Sequence, residues 1–257
     1  ARVAADPWEL QRQLRGFGFL SADRIALATG ISRDSPVRLD AAIRFVLSQA
    51  GEAGHLFLPS DRLLEQSSAL AAVPADKLAS RVESMIAAAE LVSVENDGGR
   101  ILFLPHHWRN EATAARAVAR LLGNPGRPVD PGSFPGVERL APSQFDALRL
   151  LSSCPVSVLT GGPGTGKTTV TAALTAMCRE KRISVALCAP TGRAAMRIRE
   201  TSGCDAMTIH RMLEYNPATD SFARNSASPI EADWVVVDEF SMIDMEIFSA
   251  LVSAIRP

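Results

Sequence analysis

Neither sign of charge dominates this sequence: 27 Lys and Arg stand against 28 Asp and Glu, a formal net charge of −1. No overall surplus therefore points to nucleic acid as a partner, although a balanced total leaves room for local basic surfaces. Arginines do gather, at Arg116, Arg120 and Arg127 and again at Arg193, Arg197 and Arg199. Cysteine is scarce. Cys154, Cys178, Cys188 and Cys204 are widely spaced and form no C-x-x-C pair, which favours reduced thiols, two of them within apolar patterns, over a disulfide framework. His106 and His107 are adjacent and lack the spacing and partner ligands of a zinc site. No apolar run approaches the ~20 residues of a transmembrane helix, and Ala1 to Leu10 is not a signal peptide, so a cytoplasmic protein without membrane contact is expected. Internal repeats and low-complexity tracts are missing too.

What is present divides into regions. The chain's 257 residues exceed the usual need of one compact domain, and its 47% hydrophobic content is that of soluble globular proteins. Residues 1–32 read as two short helices around a glycine hairpin at Gly16-Phe17-Gly18. Asp6 is the expected N-cap and Pro7 the first position of one helix, and Ser21 is the expected cap of the other, which carries Ile25 and Leu27. Residues 33–107 hold three helical stretches, 41–50, 60–72 and 75–90, the last with Leu78, Val82, Met85 and Ile86 at helical spacing. Apolar runs at 91–94 and 101–104 flank Asn96-Asp97-Gly98-Gly99, a hairpin signal. Helices followed by a hairpin suggest a winged-helix-like unit. Residues 108–138 combine a helix, 109–122, with a Pro- and Gly-rich linker, 123–136. In residues 139–257, short apolar runs at 156–159, 185–188 and 234–237 alternate with helical stretches, as buried strands of a parallel sheet do.

The motif that carries chemistry is Gly161-Gly162-Pro163-Gly164-Thr165-Gly166-Lys167-Thr168, a G-x-x-x-x-G-K-[ST] sequence. It lies between the first run of that region and a helix carrying Val170, Leu174 and Met177 on one face. Glycines let successive N–H groups turn inward toward phosphate oxygens, and the helix start adds partial positive charge there. Lys167 would reach the β- and γ-phosphates of ATP, and the Thr168 hydroxyl would ligate Mg²⁺. A glycine-rich turn can match this pattern by chance. The second element decides against chance: Val235-Val236-Val237-Asp238-Glu239 is an apolar strand ending in two carboxylates. Asp238 would hold Mg²⁺ through water, and Glu239 would position or deprotonate the attacking water. Gln144, just before the first run, has an amide that can pair with adenine.

P-loop proteins share a fold without sharing a function, and the segments between the two phosphate motifs discriminate among them. Cys188-Ala189-Pro190-Thr191-Gly192-Arg193-Ala194-Ala195-Met196-Arg197-Ile198 follows the second run, and Met207-Thr208-Ile209-His210-Arg211-Met212-Leu213 comes after it. With Thr160 to Thr169 and Asp238-Glu239-Phe240-Ser241-Met242-Ile243-Asp244, these resemble superfamily 1 DNA helicases. The likeness is to the RecD-like branch that carries a long N-terminal extension. It reaches over nearly the whole chain, since residues 16–26 are similar to the helix-hairpin-helix segment of that extension. Phe240 departs from the family's usual small residue.

The resemblance implies an α/β P-loop (RecA-like) parallel sheet, incomplete here, preceded by a mainly helical region with helix-hairpin-helix and winged-helix-like parts. It implies an ATP hydrolase that moves 5′ to 3′ along single-stranded DNA and opens duplex junctions, in DNA repair and recombination. By the same likeness, ATP would be held by Gln144, Gly162, Pro163, Gly164, Thr165, Gly166, Lys167, Thr168 and Thr169. Lys167, Asp238 and Glu239 would be catalytic, and Thr168 and Asp238 would bind Mg²⁺. DNA would be touched by Thr191, Arg193, Thr208 and His210, and by the amides of Gly16 and Gly18. A βα turn would equally explain Thr191, and packing His210. The start at Ala1 and the stop at Pro257 lead to the expectation of a piece of a longer helicase, lacking the second lobe whose arginine reaches the γ-phosphate and inactive in unwinding by itself. Two other readings compete: a clamp-loader-type ATPase, which leaves the 189–193 and 208–210 segments without a purpose, and a nucleotide- or DNA-binding module without turnover, against which the intact Lys167, Thr168, Asp238 and Glu239 argue.

Overall fold

The computed structural model describes Trp8 and residues 18–124, 126, 128–162 and 164–256; Asp6, Pro7, Gly16, Arg127 and Pro163 lie outside them. The chain divides into two units, Ala1–Arg109 and Asn110–Pro257.

In the first unit, α1 (Phe19–Ala28) and α2 (Pro36–Glu52) are followed by β1 (Phe57–Pro59), α3 (Ser60–Ala71), α4 (Ala75–Ala87), β2 (Val92–Asn96) and β3 (Gly99–Phe103). From α2 onward this helix, strand, two helices and hairpin is the winged-helix arrangement that the pattern of helices suggested. The three strands form an antiparallel sheet in the order β1-β3-β2. Asn96 pairs with Gly99, leaving Asp97-Gly98 as a two-residue turn in which Asn96 Oδ1 accepts the Gly98 N–H at 2.9 Å. Gly99 takes φ +101°, a conformation that costs glycine little. The core is built by periodicity: α4 buries Leu78, Val82 and Met85, α2 buries Leu39, Ala42, Ile43, Val46 and Leu47, and α1 adds Phe19, Ala22 and Ala26. Trp8 joins this core, its ring 6.3 Å from that of Phe19.

One expectation for α1 is corrected. The N-cap is Gly18, and Ser21 sits inside the first turn. The helix starts earlier because Phe19 must lie on it to share a face with Ala22 and Ala26; Ile25 is consequently exposed and Leu27 half-buried. The inward face of α1 also carries a charge. Asp23 is buried and accepts two bonds from buried Arg38 of α2, Nε to Oδ1 at 2.7 Å and Nη2 to Oδ2 at 2.8 Å, while Arg38 Nη1 donates to the Arg33 carbonyl at 2.8 Å. Such a forked, fully bonded geometry is what lets an ion pair survive away from water.

The helix α5 (Pro105–Leu122) begins four residues before the expected start and leads into the second unit. There, α6 (Pro142–Ser153), α7 (Lys167–Glu180), β4 (Val185–Ala189), α8 (Gly192–Ser202), β5 (Ala206–Thr208), α9 (Ile209–Met212), the short β6 (Tyr215–Asn216) and β7 (Ser221–Phe222), β8 (Trp234–Val237) and α10 (Met245–Ser253) follow. The strands β5-β4-β8, in that order, make a parallel sheet. Strand alternation sends Val185, Leu187, Trp234 and Val236 to one face, where α7 and α8 pack, and Ala186, Cys188, Val235 and Val237 to the other, where α9 and α10 pack. Burial on both faces accounts for the unbroken apolar runs.

The third strand is not the expected one. Residues 156–159 form no strand: Val156 lies in a bend, 157–159 have no regular structure, and Val158 is 85% exposed. A strand requires a neighbour for its N–H and C=O groups, which apolar composition alone does not supply. The Ala206–Thr208 segment takes the place instead, by pairing with Leu187–Ala189. Cys178 and Cys188 are buried, and burial pushes their thiols up to about 11 and about 12, in the range of unreactive reduced cysteines. Among the described residues no helix is long and apolar enough to cross a membrane.

Candidate nucleotide and nucleic-acid site

The loop before α7 has the backbone that its glycines predict. Gly164 and Gly166 stand at φ +74° and +85°, and the Thr165 hydroxyl donates to the Gly162 carbonyl at 2.9 Å. A side chain at Gly161 would run into Thr165 Oγ1, 2.7 Å from the added Cβ. Lys167, the first residue of α7, folds back over the loop and donates from Nζ to the carbonyls of Gly161 at 2.5 Å and Gly162 at 2.9 Å. Among the described residues its ammonium thus rests on backbone oxygens alone, partners that a phosphate can outcompete. Thr168 and Thr169 are exposed one step further on.

Gln144 reaches this loop. Its Oε1 accepts the Ala141 N–H at 3.0 Å at the start of α6, which turns its amide nitrogen onto Gly166, where any Cβ would collide with it. The structure therefore brings Gln144 and the phosphate loop together from separate helices.

The remaining residues are gathered by the sheet. Cys188 pairs with Val237 and Ala189 with Thr208, so the three parallel strands end level. Asp238, Thr191 and Thr208 leave the same carboxyl edge, and the Asp238 N–H donates to the Cys188 carbonyl at 3.0 Å. Because α7 returns the chain to the start of β4, its N-terminus and the loop before it belong to this edge as well. Ligands of open parallel sheets bind at that edge.

Details at the edge separate the residues. Glu239 adopts φ +53°, and its N–H is accepted by Asp238 Oδ1 at 2.8 Å. The second oxygen of Asp238 accepts no hydrogen bond among the described residues. A hydroxyl at Thr168 and one carboxylate are few donors for calcium but suit Mg²⁺, which keeps most of its waters and takes phosphate oxygens. The Thr191 hydroxyl accepts the Ala194 N–H at 3.2 Å and caps α8; the Thr208 hydroxyl does the same for Arg211 N–H and α9. Both retain a proton to donate. His210 packs edge-on against Tyr215, centroids 5.3 Å apart, and lies 6.0 Å from Phe222, so packing accounts for its placement. Arg193 is exposed. Gly18 is an exposed helix cap, and Gly16 lies outside the described residues. Sequence reasoning gave no role to Arg197, whose Nη1 lies 3.9 Å from Glu239 Oε1; a cluster of arginines was the only signal of it.

Comparison with known proteins gives two family matches: an AAA domain over residues 144–257, and the HHH domain of ATP-dependent RecD2 DNA helicases over residues 1–57. The chain is 37% identical over 263 residues to the ATP-dependent RecD2 DNA helicase of Deinococcus radiodurans, covering 95% of this chain and 36% of that protein. It is 32% identical over 265 residues to the RecBCD enzyme subunit RecD of Mycobacterium tuberculosis, covering 92% of this chain and 43% of the relative. The ATP-dependent DNA helicase dda of Enterobacteria phage T4 is 34% identical over 105 residues, 38% of this chain and 24% of the phage protein. The chain thus spans about two fifths of the length of the first two relatives. With the helix-hairpin-helix match at one end, the AAA match at the other and the RecD2 likeness running through both, the chain is RecD-like along nearly its whole length.

Proposed function

We propose that this chain carries the ATP-binding part of a cytoplasmic DNA helicase that translocates 5′ to 3′ on single-stranded DNA and opens duplex junctions. The observation that carries this reading is the level carboxyl edge of the sheet. It carries the ends of β8, β4 and β5, from which Asp238-Glu239, Thr191 and Thr208 leave, and the helix that follows the phosphate loop packs on the same sheet. Nucleotide and strand would then lie on one edge, close enough for events at one to move the other. The parts would be a helix-hairpin-helix segment, 1–32, a winged-helix-like domain, 33–107, a helix and linker, 108–138, and a motor lobe, 139–257.

Each residue has a task in this scheme. Gln144 pairs with adenine. The backbone N–H groups of Gly162, Gly164, Thr165 and Gly166, with Pro163 shaping the loop and Thr169 beside it, surround the phosphates, and Lys167 leaves the loop carbonyls for the β- and γ-phosphate oxygens. Thr168 and Asp238 hold Mg²⁺, which when bound neutralises phosphate charge. Glu239 takes the proton of the attacking water. Thr191, Arg193, Thr208 and His210 meet the sugar-phosphate backbone without reading sequence, and the amides of Gly16 and Gly18 grip a phosphate elsewhere on the strand. The test is Lys167→Ala in the full-length protein. Steady-state ATP hydrolysis should fall by roughly 10²-fold or more, with single-stranded DNA binding retained. Wild-type hydrolysis by that variant would end the assignment.

A further inference from the structure

The scheme above leaves one charged contact without a purpose. Arg197 of α8 and Glu239 at the end of β8 approach to 3.9 Å, with 72% of the arginine side chain and 37% of the carboxylate side chain exposed. Among the described residues this is the one ion pair of Glu239. Its neighbours are accounted for differently: Arg199 pairs with Asp205 at 3.2 Å, and Arg193 has no ion-pair partner among the described residues.

Position gives the contact its meaning. Arg193 and Arg197 are four residues apart on α8, hence neighbours on one helix face. The face that presents Arg193 beside Thr191 therefore also presents Arg197 to Glu239. At the other end, the left-handed backbone of Glu239 and the bond from its N–H to Asp238 Oδ1 leave only its side-chain torsions free to choose a partner.

We infer that Arg197 is a positioning residue that couples DNA occupancy to hydrolysis, by holding the Glu239 carboxylate until a DNA phosphate draws the arginine away. This rests on the nucleotide- and DNA-site reading given above. The pair is long and solvent-exposed, a class of contact that contributes little and is readily exchanged. A phosphate offers the guanidinium a shorter, two-pronged alternative. Without DNA, Glu239 is held toward α8 and is a poor acceptor for the proton of the attacking water. With a strand along Thr191 and Arg193, Arg197 turns to the phosphate and Glu239 is released. A stronger or buried pair would not yield to a single phosphate, so the weakness of the contact is what suits it to this use.

The experiment compares wild type, Arg197→Gln and Arg197→Lys in the full-length protein, measuring steady-state ATP hydrolysis with and without saturating oligothymidylate. In Arg197→Gln the DNA-free kcat should rise about twofold to fivefold, the span expected for losing an exposed pair. The DNA-saturated kcat and the KM for ATP should stay near wild type, so that the stimulation ratio shrinks. Arg197→Lys, which keeps the charge, should restore most of the restraint. An unchanged DNA-free rate, or a fall in both rates together, overturns the inference; the second result would mean that Arg197 only supports the fold or the active geometry. Lys167→Ala is assayed in parallel. If it hydrolyses ATP normally, the nucleotide-site reading itself fails. If it is inactive while Arg197→Gln leaves the DNA-free rate unchanged, only the coupling role is lost.

Discussion

The wing of the first unit and the sheet edge of the second use their basic side chains differently. In the winged-helix-like part, every Lys and Arg of α4 and of the β2–β3 hairpin is tied to a carboxylate: Lys77 to Asp34 at 2.5 Å, Arg81 to Asp40 at 2.8 Å, and Arg100 to Glu83 at 2.5 Å. Arg44 is likewise paired with Glu90. These bonds raise the guanidinium pKa of Arg81 and Arg100 and hold the Glu83 carboxyl below its ordinary value. The strand ends and turn of the hairpin add Glu95 and Asp97, both exposed. In the second unit, Lys167 rests on carbonyls only and Arg193 and Arg211 have no ion-pair partner among the described residues, while Arg197 makes one long contact. A cation already neutralised by a carboxylate gains little from a phosphate and releases few counterions. In the first unit these cations already have short carboxylate partners, whereas the cations along the sheet edge of the second have long contacts, carbonyl partners or no ion pair among the described residues. The net charge of −1 conceals that division.

The sharpest way to probe the motor side is to separate its two carboxylates. Glu239→Gln should bind Mg·ATP like wild type and hydrolyse it roughly 10²–10⁴-fold more slowly in single turnover, because shape is kept and the proton acceptor is lost. Asp238→Asn should instead weaken the Mg²⁺-dependent part of ATP binding in calorimetric titration. Identical defects would contradict separate roles.

On the other side, Asp23→Ala should destabilise the first unit by about 3–5 kcal/mol, since Arg38 would remain buried without its partner. Amide exchange in residues 36–103 should accelerate accordingly while the sheet of the second unit is unchanged. An effect below about 1 kcal/mol, the size of an exposed pair, would show that the Asp23–Arg38 fork does not hold α1 to α2.

Salt dependence tests the comparison across both units. Arg193→Ala should flatten the slope of log K against log salt for oligothymidylate by about 0.7, one phosphate contact on a single strand. Lys77→Ala and Arg100→Ala should leave the slope unaltered. A flatter slope in either of the latter would break the division drawn above.

The smallest effect concerns His107, whose pKa is lowered by burial first and by His106 second. A base held neutral in the fold contributes stability above its unfolded pKa, about 6.5, and that stability is lost as pH falls through the lower folded value. The first unit should unfold at lower urea concentration at pH 5.5 than at pH 7.5, and His107→Asn should remove that part of the dependence.

Legibility from sequence followed the range of the forces involved. The helices of residues 36–52, 60–71 and 75–87, the hairpin around Asp97-Gly98 and the loop-to-helix turn at Gly166-Lys167 are set by neighbours a few residues away, and periodicity or glycine placement exposed them. Pairing is not local. Val156 to Leu159 has the composition of a buried strand and no strand partner among the described residues, whereas Ala206-Met207-Thr208 has no apolar run and gains its strand geometry from β4. The parts of the candidate site were readable as contiguous motifs. Contacts between motifs were not: nothing in the sequence ties Arg197 to Glu239 or Asp23 to Arg38, since each depends on how separate elements pack.

In this scheme nucleotide and DNA meet on the carboxyl edge of the β5-β4-β8 sheet, and the winged-helix-like part stands aside from both. Hydrogen–deuterium exchange of the full-length protein, with oligothymidylate and a non-hydrolysable ATP analogue added singly and together, tests it directly. The analogue should slow exchange in residues 160–169, DNA should slow it in 190–197 and 207–212, and residues 75–103 should be unaffected by either. Protection by DNA in residues 75–103 with none in 190–212 would contradict it.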